Sequence, residues 1–182
     1  MSAHIKYVLA AVSSLACASS AFAWGGTTEG TINAGGNFSY SSASAAGSDL
    51  AFEGHGGYYL ADACLVGGAL NVRKNDEVTT YDLAGLVKYH LLDPVLRDAE
   101  GRPYAFSPYI GARLGLAHGK NDADSNTGVL AAARVGADVF LTQNVALDFL
   151  VDFAACTAEV FPDDEKLKKS SVVFRVGFDF NF

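Results

Sequence analysis

Beyond its first two dozen residues this chain has no apolar run of helix-spanning length, about 20 residues, so no transmembrane helix is expected. Charge is scarce: Asp, Glu, Lys and Arg make up 18% of the residues, against roughly a quarter in an ordinary soluble domain. Basic residues are the minority, 13 against 20 acidic ones, for a net charge of -7. Without a basic patch, nucleic acid is excluded as a partner. An acidic chain also has no attraction for anionic headgroups unless divalent cations mediate it. Cysteine is sparse too, at positions 17, 64 and 156. Cys17 lies in an N-terminal targeting segment. Cys64 and Cys156 fall near opposite ends of the topology below, too far apart for a disulfide, whose Cα atoms must lie within about 7 Å. They read as small apolar residues. Metal clusters, phosphate loops and cofactor motifs are lacking, and no cofactor is expected.

Met1 to Ala23 reads as a cleaved secretory signal peptide. His4 and Lys6 give a short positive start, Tyr7 to Cys17 is apolar, and Ala21-Phe22-Ala23 supplies the small-residue cleavage pattern, with Ala23 the last residue removed. A lipoprotein signal ending at Cys17 fits less well, because Leu15 precedes the cysteine by two residues rather than three. Residues 24–182 then form one domain.

What the chain does have is alternation. From Ser171 to Phe182, Val172, Phe174, Val176, Phe178, Phe180 and Phe182 point one way, and Val173, Arg175, Gly177, Asp179 and Asn181 the other. Successive side chains of a strand face opposite sides, so one face is apolar and one polar. The pattern recurs between Gly/Asn/Asp/Ser clusters and predicts strands near 29–40, 49–60, 63–74, 79–91, 104–118, 128–141, 145–158 and 171–182. Each is near or above the 9–11 residues, roughly, of a tilted membrane-crossing strand. An open sheet edge does not survive in hydrocarbon, so the strands must close. The expected fold is all-β: an eight-stranded antiparallel up-and-down transmembrane β-barrel. An even count puts both termini at one end, the periplasmic one. Inner turns are short and outer loops longer, except for the long inner connection 92–103. Aromatic residues fall near both rims: Tyr58, Tyr89, Tyr104 and Phe182 at the inner one, Phe38, Tyr40 and Tyr81 at the outer one.

A soluble barrel shows the same alternation with its faces inverted. The polar face decides between them. It mixes tiny residues (Gly35, Gly57, Gly67, Ala69, Gly111, Gly136, Gly177) with single charges, the filling of a barrel just wide enough for side chains. Register follows from those charges: one Arg facing lipid at the midplane costs about 2–4 kcal/mol, and a one-residue slip would turn every inward charge outward together.

Three segments carry a family resemblance: Phe52 to Leu70, with Tyr58-Tyr59-Leu60-Ala61-Asp62; Pro108-Tyr109-Ile110-Gly111-Ala112-Arg113-Leu114-Gly115; and Gly136 to Phe153, with Asn144-Val145-Ala146-Leu147-Asp148. Together they resemble the small outer-membrane β-barrel family of opacity-like and outer-membrane-protein-A-like porin-family proteins. The ending Phe178-Asp179-Phe180-Asn181-Phe182 is similar to the C-terminal aromatic signal such proteins present to the barrel-assembly machinery. The resemblance implies a bacterial (Gram-negative) cell outer membrane location, periplasmic chaperones, that machinery, outer-membrane lipids and lipopolysaccharide as partners, and a monomer. Nothing follows Phe182, so the peptidoglycan-binding domain of two-domain members is expected to be absent. Members range from structural proteins to adhesins and narrow pores. The expected role is non-enzymatic, structural or surface-related, with a plugged lumen. A narrow porin-like diffusion channel is the alternative, and an adhesin or a lipid-modifying enzyme is less favoured.

The candidate site is the set of inward charges: Glu29, Glu53, Arg73, Asp82, Lys88, Arg113, Arg134, Asp138, Asp148, Asp152, Arg175 and Asp179. Unpaired buried charges cost several kcal/mol, so they should form a compensated network. Folding around Thr142–Asn144 sets Arg134 opposite Asp152, with Arg175 on the other side, and folding around Asn75–Glu77 brings Arg73 near Asp82. Asp122, Asp124 and Asn126 mimic the start of a calcium loop, but the glycine falls one place late and no Glu closes it, so a solvated acidic loop is the better reading. His55, His90 and His118 each stand alone; His118 could meet Ser170 or Ser171 as a Ser/His pair, though nothing in the sequence demands it.

Overall fold

The structure, a computed structural model, describes residues 27–44, 47–75, 78–92, 106–121, 124–142, 144–163 and 166–182. The proposed signal peptide with Ala23, most of the 92–103 connection, Tyr104 and Asp122 lie outside them. Eight long strands form: β1 (Ile32–Ser44), β2 (Gly47–Ala61), β3 (Cys64–Lys74), β4 (Thr79–His90), β5 (Phe106–Lys120), β6 (Ser125–Phe140), β7 (Val145–Cys156) and β10 (Ser170–Asn181). Each pairs antiparallel with its neighbours in the order β1-β10-β7-β6-β5-β4-β3-β2, and β1 meets β10 to close the barrel. Asn33 sits opposite Asn181, and Ile32 and Phe182 exchange backbone hydrogen bonds of 3.0 and 2.8 Å, which finishes the seam. The connection after β7 departs from a plain loop, folding into a small hairpin of β8 (Phe161–Asp163) and β9 (Lys166–Lys168).

Period-2 alternation is the cause of this architecture. On β7, Ala146, Asp148, Leu150, Asp152 and Ala154 are buried while Phe149 and Phe153 are exposed. Outward-pointing Leu83, Leu114 and Val172 are 66%, 67% and 66% exposed. In water such a belt would be an aggregation surface; against acyl chains it costs nothing. Outward charges of the barrel strands are confined to Lys74 and Lys120, the last residues of β3 and β5. Exposed Tyr40 and Tyr81 lie toward that same end and exposed Tyr58 and Tyr89 toward the other, as aromatic girdles do at two interfaces; Phe38, expected at the outer rim, is instead the middle residue of β1. Phe180 differs: although on the outward parity, it is buried at 6%.

The end holding Ile32 and Asn181 is called here the terminal rim, and the opposite end the distal rim. At the terminal rim the β2–β3 turn is tight enough to put Ala63 at φ 64°, and the turn is held by Ala63 N–H donating to Thr27 O at 2.8 Å. Inward glycines let the walls approach. A Cβ on Gly67 would lie 2.6 Å from Gly57 Cα, and one on Gly136 would meet the Tyr109 ring at 2.4 Å. The free space of the lumen is therefore set by the remaining large, mostly charged, side chains.

Candidate functional site

Among the described residues, six carboxylates (Glu53, Asp82, Asp138, Asp148, Asp152, Asp179) and four cations (Lys88, Arg113, Arg134, Arg175) are buried in the lumen. They divide into two layers. In the middle layer Glu53 and Asp152 serve the same three arginines. Glu53 Oε2 is paired with Arg134, lies 2.5 Å from Arg175 Nη1 and 3.6 Å from Arg113 Nη1. Asp152 Oδ2 lies 2.5 Å from Arg113 Nη2, 3.4 Å from Arg175 Nη1 and 3.5 Å from Arg134 Nη2. Asp82 completes the set, 2.6 Å from Arg113 Nη1, and accepts from Asn71 Nδ2 at 2.7 Å. Three cations thus face three anions.

The layer nearer the terminal rim is unequal. Lys88 Nζ donates to Asp138 at 2.8 Å and Asp179 at 2.7 Å, and stands 4.0 Å from the centre of the Tyr109 ring. Asp148 is held by neutral donors, Tyr109 Oη at 2.6 Å and Asn37 Nδ2 at 2.9 Å. His55 Nε2 sits 2.8 Å from Asp179 Oδ1, and its Nδ1 stands 3.7 Å from Glu53 Oε1, beyond hydrogen-bond reach, so the ring lies between the layers. Asp138, Asp148 and Asp179 bring their oxygens within 4.8 Å of one another, the spacing of a cation site. The cation among them is the chain's own ammonium, Lys88.

Below this, toward the terminal rim, a directed hydrogen-bond chain seals the floor. Ser107 Oγ donates to the Leu92 carbonyl, so it accepts from His90 Nδ1 at 2.9 Å; His90 Nε2 must then accept from Tyr59 Oη at 3.2 Å. Ser107 is 0% exposed, and its proton is already committed, which makes this Ser/His pair structural. At the distal side Arg73 Nε donates to both Asp49 oxygens, at 3.0 and 2.9 Å, and Arg73 also reaches Ser171. Above the arginines an apolar cluster forms from Ala84, Ala117, Leu130, Ala132, Ala154, Cys156, Val160 and Phe161. A cavity of about 10 Å³, room for a single water, lies between the two, lined by Asn71, Asp82, Arg113, Asp152, Arg175 and Phe161 among others.

Several expectations need correction. Glu29 does not enter the lumen. It lies in the turn before β1 and is exposed, with its backbone N–H bound to Asp62 Oδ1 at 3.0 Å; the alternation read back to residue 29 stops at Ile32. Arg73 is half-buried at the distal mouth and pairs with Asp49 across the β2–β3 ladder rather than with Asp82, which Arg113 takes. His55 and His90 do not stand alone, as described above. His118 is met by Thr127 Oγ1 at 2.8 Å and Ser125 Oγ at 3.5 Å on β6, while Ser171 belongs to Arg73. In the acidic loop Asp124 is exposed, and Asn126 Nδ2 donates to the Glu159 carbonyl at 3.1 Å, so its amide fastens a loop. Arg134 and Asp152 are directly opposite in the β6–β7 register. Cys64 and Cys156 are free thiols at opposite ends of their strands. Asn37, Tyr59 and Tyr109 are lumen residues that the charge-based selection missed. They share the inward parity of Asn33, Glu53 and Arg113, and that parity was the available signal.

Solved structures share this architecture. Neisserial surface protein A superposes with a TM-score of 0.58 at 18% identity, covering 84% of this chain and 96% of its own. The N-terminal β-barrel domain of Pseudomonas aeruginosa OprF gives 0.57 at 20% identity, covering 85% of this chain and 98% of that domain. The outer membrane protein OprG from Pseudomonas aeruginosa gives 0.54 at 16%, covering 86% and 98%. The chain has the small outer-membrane β-barrel fold. No protein-family profile matches it, nor does any curated protein sequence. At these identities the likeness concerns the fold.

Proposed function

We propose that this chain is a monomeric, non-enzymatic barrel of the bacterial outer membrane with a structural or surface-related role and a lumen closed by its own side chains. One observation carries the reading: the Glu53/Asp82/Asp152–Arg113/Arg134/Arg175 layer spans the bore with opposite charges in contact, and the adjacent cavity holds about one water. Location rests on the apolar outer belt between aromatic rings and on the fold shared with outer-membrane proteins. The terminal rim then faces the periplasm. Phe178, Phe180 and Phe182 serve as the recognition signal for the assembly machinery, reached with periplasmic chaperones, and the distal cations meet lipopolysaccharide. Conductance tests the closed lumen: purified protein in planar bilayers should be silent. Steady stepwise openings would replace this reading with a narrow diffusion channel.

A further inference from the structure

We infer that residues 157–161 form a displaceable lid over the distal mouth, and that lifting it opens the polar lumen to ions from that side. The inference rests on the closed-lumen reading and adds a distal cover above the charged layer that spans the bore. The segment follows β7 but turns inward: Val160 is 0% and Phe161 4% exposed, packed with the apolar wall residues Ala117, Leu130 and Cys156. Hydrogen bonds hold it in place. Thr157 N–H donates to Val129 O at 3.0 Å and Val160 N–H to Lys168 O at 3.0 Å. Val129 N–H donates to Thr157 Oγ1 at 2.9 Å, Asn126 Nδ2 to Glu159 O at 3.1 Å, and Thr80 Oγ1 to Val160 O at 2.8 Å.

The wall is shaped for this segment. A Cβ on Gly119 would stand 2.2 Å from Val160 O and 2.7 Å from Val160 Cα, and one on Gly128 would stand 2.7 Å from Ala158 N. Glycine at both places on the inward face of β5 and β6 leaves room that the lid fills. Below it lie buried polar atoms with no protein partner: Asn71 Oδ1, Arg113 Nε, Arg175 Nε and Asp152 Oδ1, all on residues lining the cavity under Phe161. Such atoms bind water or carry the desolvation cost of a lost hydrogen bond. An apolar cover over groups that attract water is the arrangement by which a narrow passage closes through dewetting.

Cys156 reports on the lid, because its thiol is buried in that same cluster. In a Cys64→Ser background, reaction of Cys156 with a charged methanethiosulfonate reagent is read by peptide mass spectrometry, beside planar-bilayer recordings. Gly119→Ala pushes on Val160, and Phe161→Ser removes the apolar cover without touching the wall; heat-modifiable gel migration shows which variants are folded. Both variants should label at least tenfold faster than the parent, while bilayers stay silent because the charged layers beneath still span the bore. Equal labelling in parent and variants overturns the lid. Openings in the variants but not in the parent would overturn the charged layers as the seal of the bore, whereas faster labelling with silent bilayers supports a lid lying above them. Openings already present in the parent would overturn the closed-lumen reading, and the lid with it.

Discussion

Arg175 on β10 reaches past β1 to place Nη1 2.5 Å from Glu53 Oε2 on β2, and Arg134 meets the same oxygen from across the bore. One carboxylate therefore ties strands that are not neighbours in the sheet. Backbone ladders hold adjacent strands; contacts of this kind hold the cross-section.

Glu53→Gln is expected to destabilise the barrel by about 3–5 kcal/mol, the usual cost of leaving buried charge uncompensated. The mutant amide offers one oxygen to three guanidiniums. Urea unfolding of the refolded protein measures it; an unchanged midpoint would show that the arginines are fully served by Asp152 and Asp82.

Strand parity was legible because the side-chain period is two, and an error of one residue would send Arg134, Asp152 and Arg175 into lipid together. The Arg134–Asp152 pair was legible too: a short turn at 142–144 fixes the β6–β7 register. Partners across the bore were not. That Lys88 would meet Asp179, or Arg113 meet Asp82 and Asp152, depends on strand tilt and barrel diameter, which no local pattern encodes. Arg73 was placed with Asp82 by folding β3 on β4; the ladder on its other side, with β2, supplied Asp49 instead. The inward turn of Val160 and Phe161 falls at the start of the three-residue β8, too short a strand for hydrophobic period to give a signal.

Gly136→Ala should cost about 1–3 kcal/mol as an overpacking substitution. The new methyl would lie 2.4 Å from the Tyr109 ring and 2.5 Å from Phe149 O. Backbone cannot yield, so Tyr109 moves and loosens its bond to Asp148. Pairing the change with Tyr109→Ala should recover part of the loss. A double mutant no better than the sum of the two single changes would show that the strain lies against Phe149 alone.

Assembly should depend on the closing strand. Phe182 completes the seam by exchanging backbone bonds with Ile32, and Phe178 lies on the exposed outer face. Deleting Phe182, or making it polar, removes an apolar anchor from the terminal rim, and misassembled protein should accumulate in the periplasm. Membrane fractionation and heat-modifiable migration read the outcome, and normal yield in the outer membrane would remove the residue from the signal.

Asp152→Ala probes the middle layer from its other anion. Asp152 contacts Arg113 at 2.5 Å, Arg175 at 3.4 Å and Arg134 at 3.5 Å. Its loss leaves Glu53 and Asp82 to balance three guanidiniums. The expected cost is about 3–5 kcal/mol where the groups stay dry, less if water enters from the neighbouring cavity. Because Glu53 and Asp152 share all three arginines, the two losses are coupled. Removing both carboxylates should cost more than the sum of the single changes, since neither can cover for the other. Additive urea midpoints would show that each anion serves its own arginine, Arg113 for Asp152 and Arg134 for Glu53, and that the longer contacts are idle.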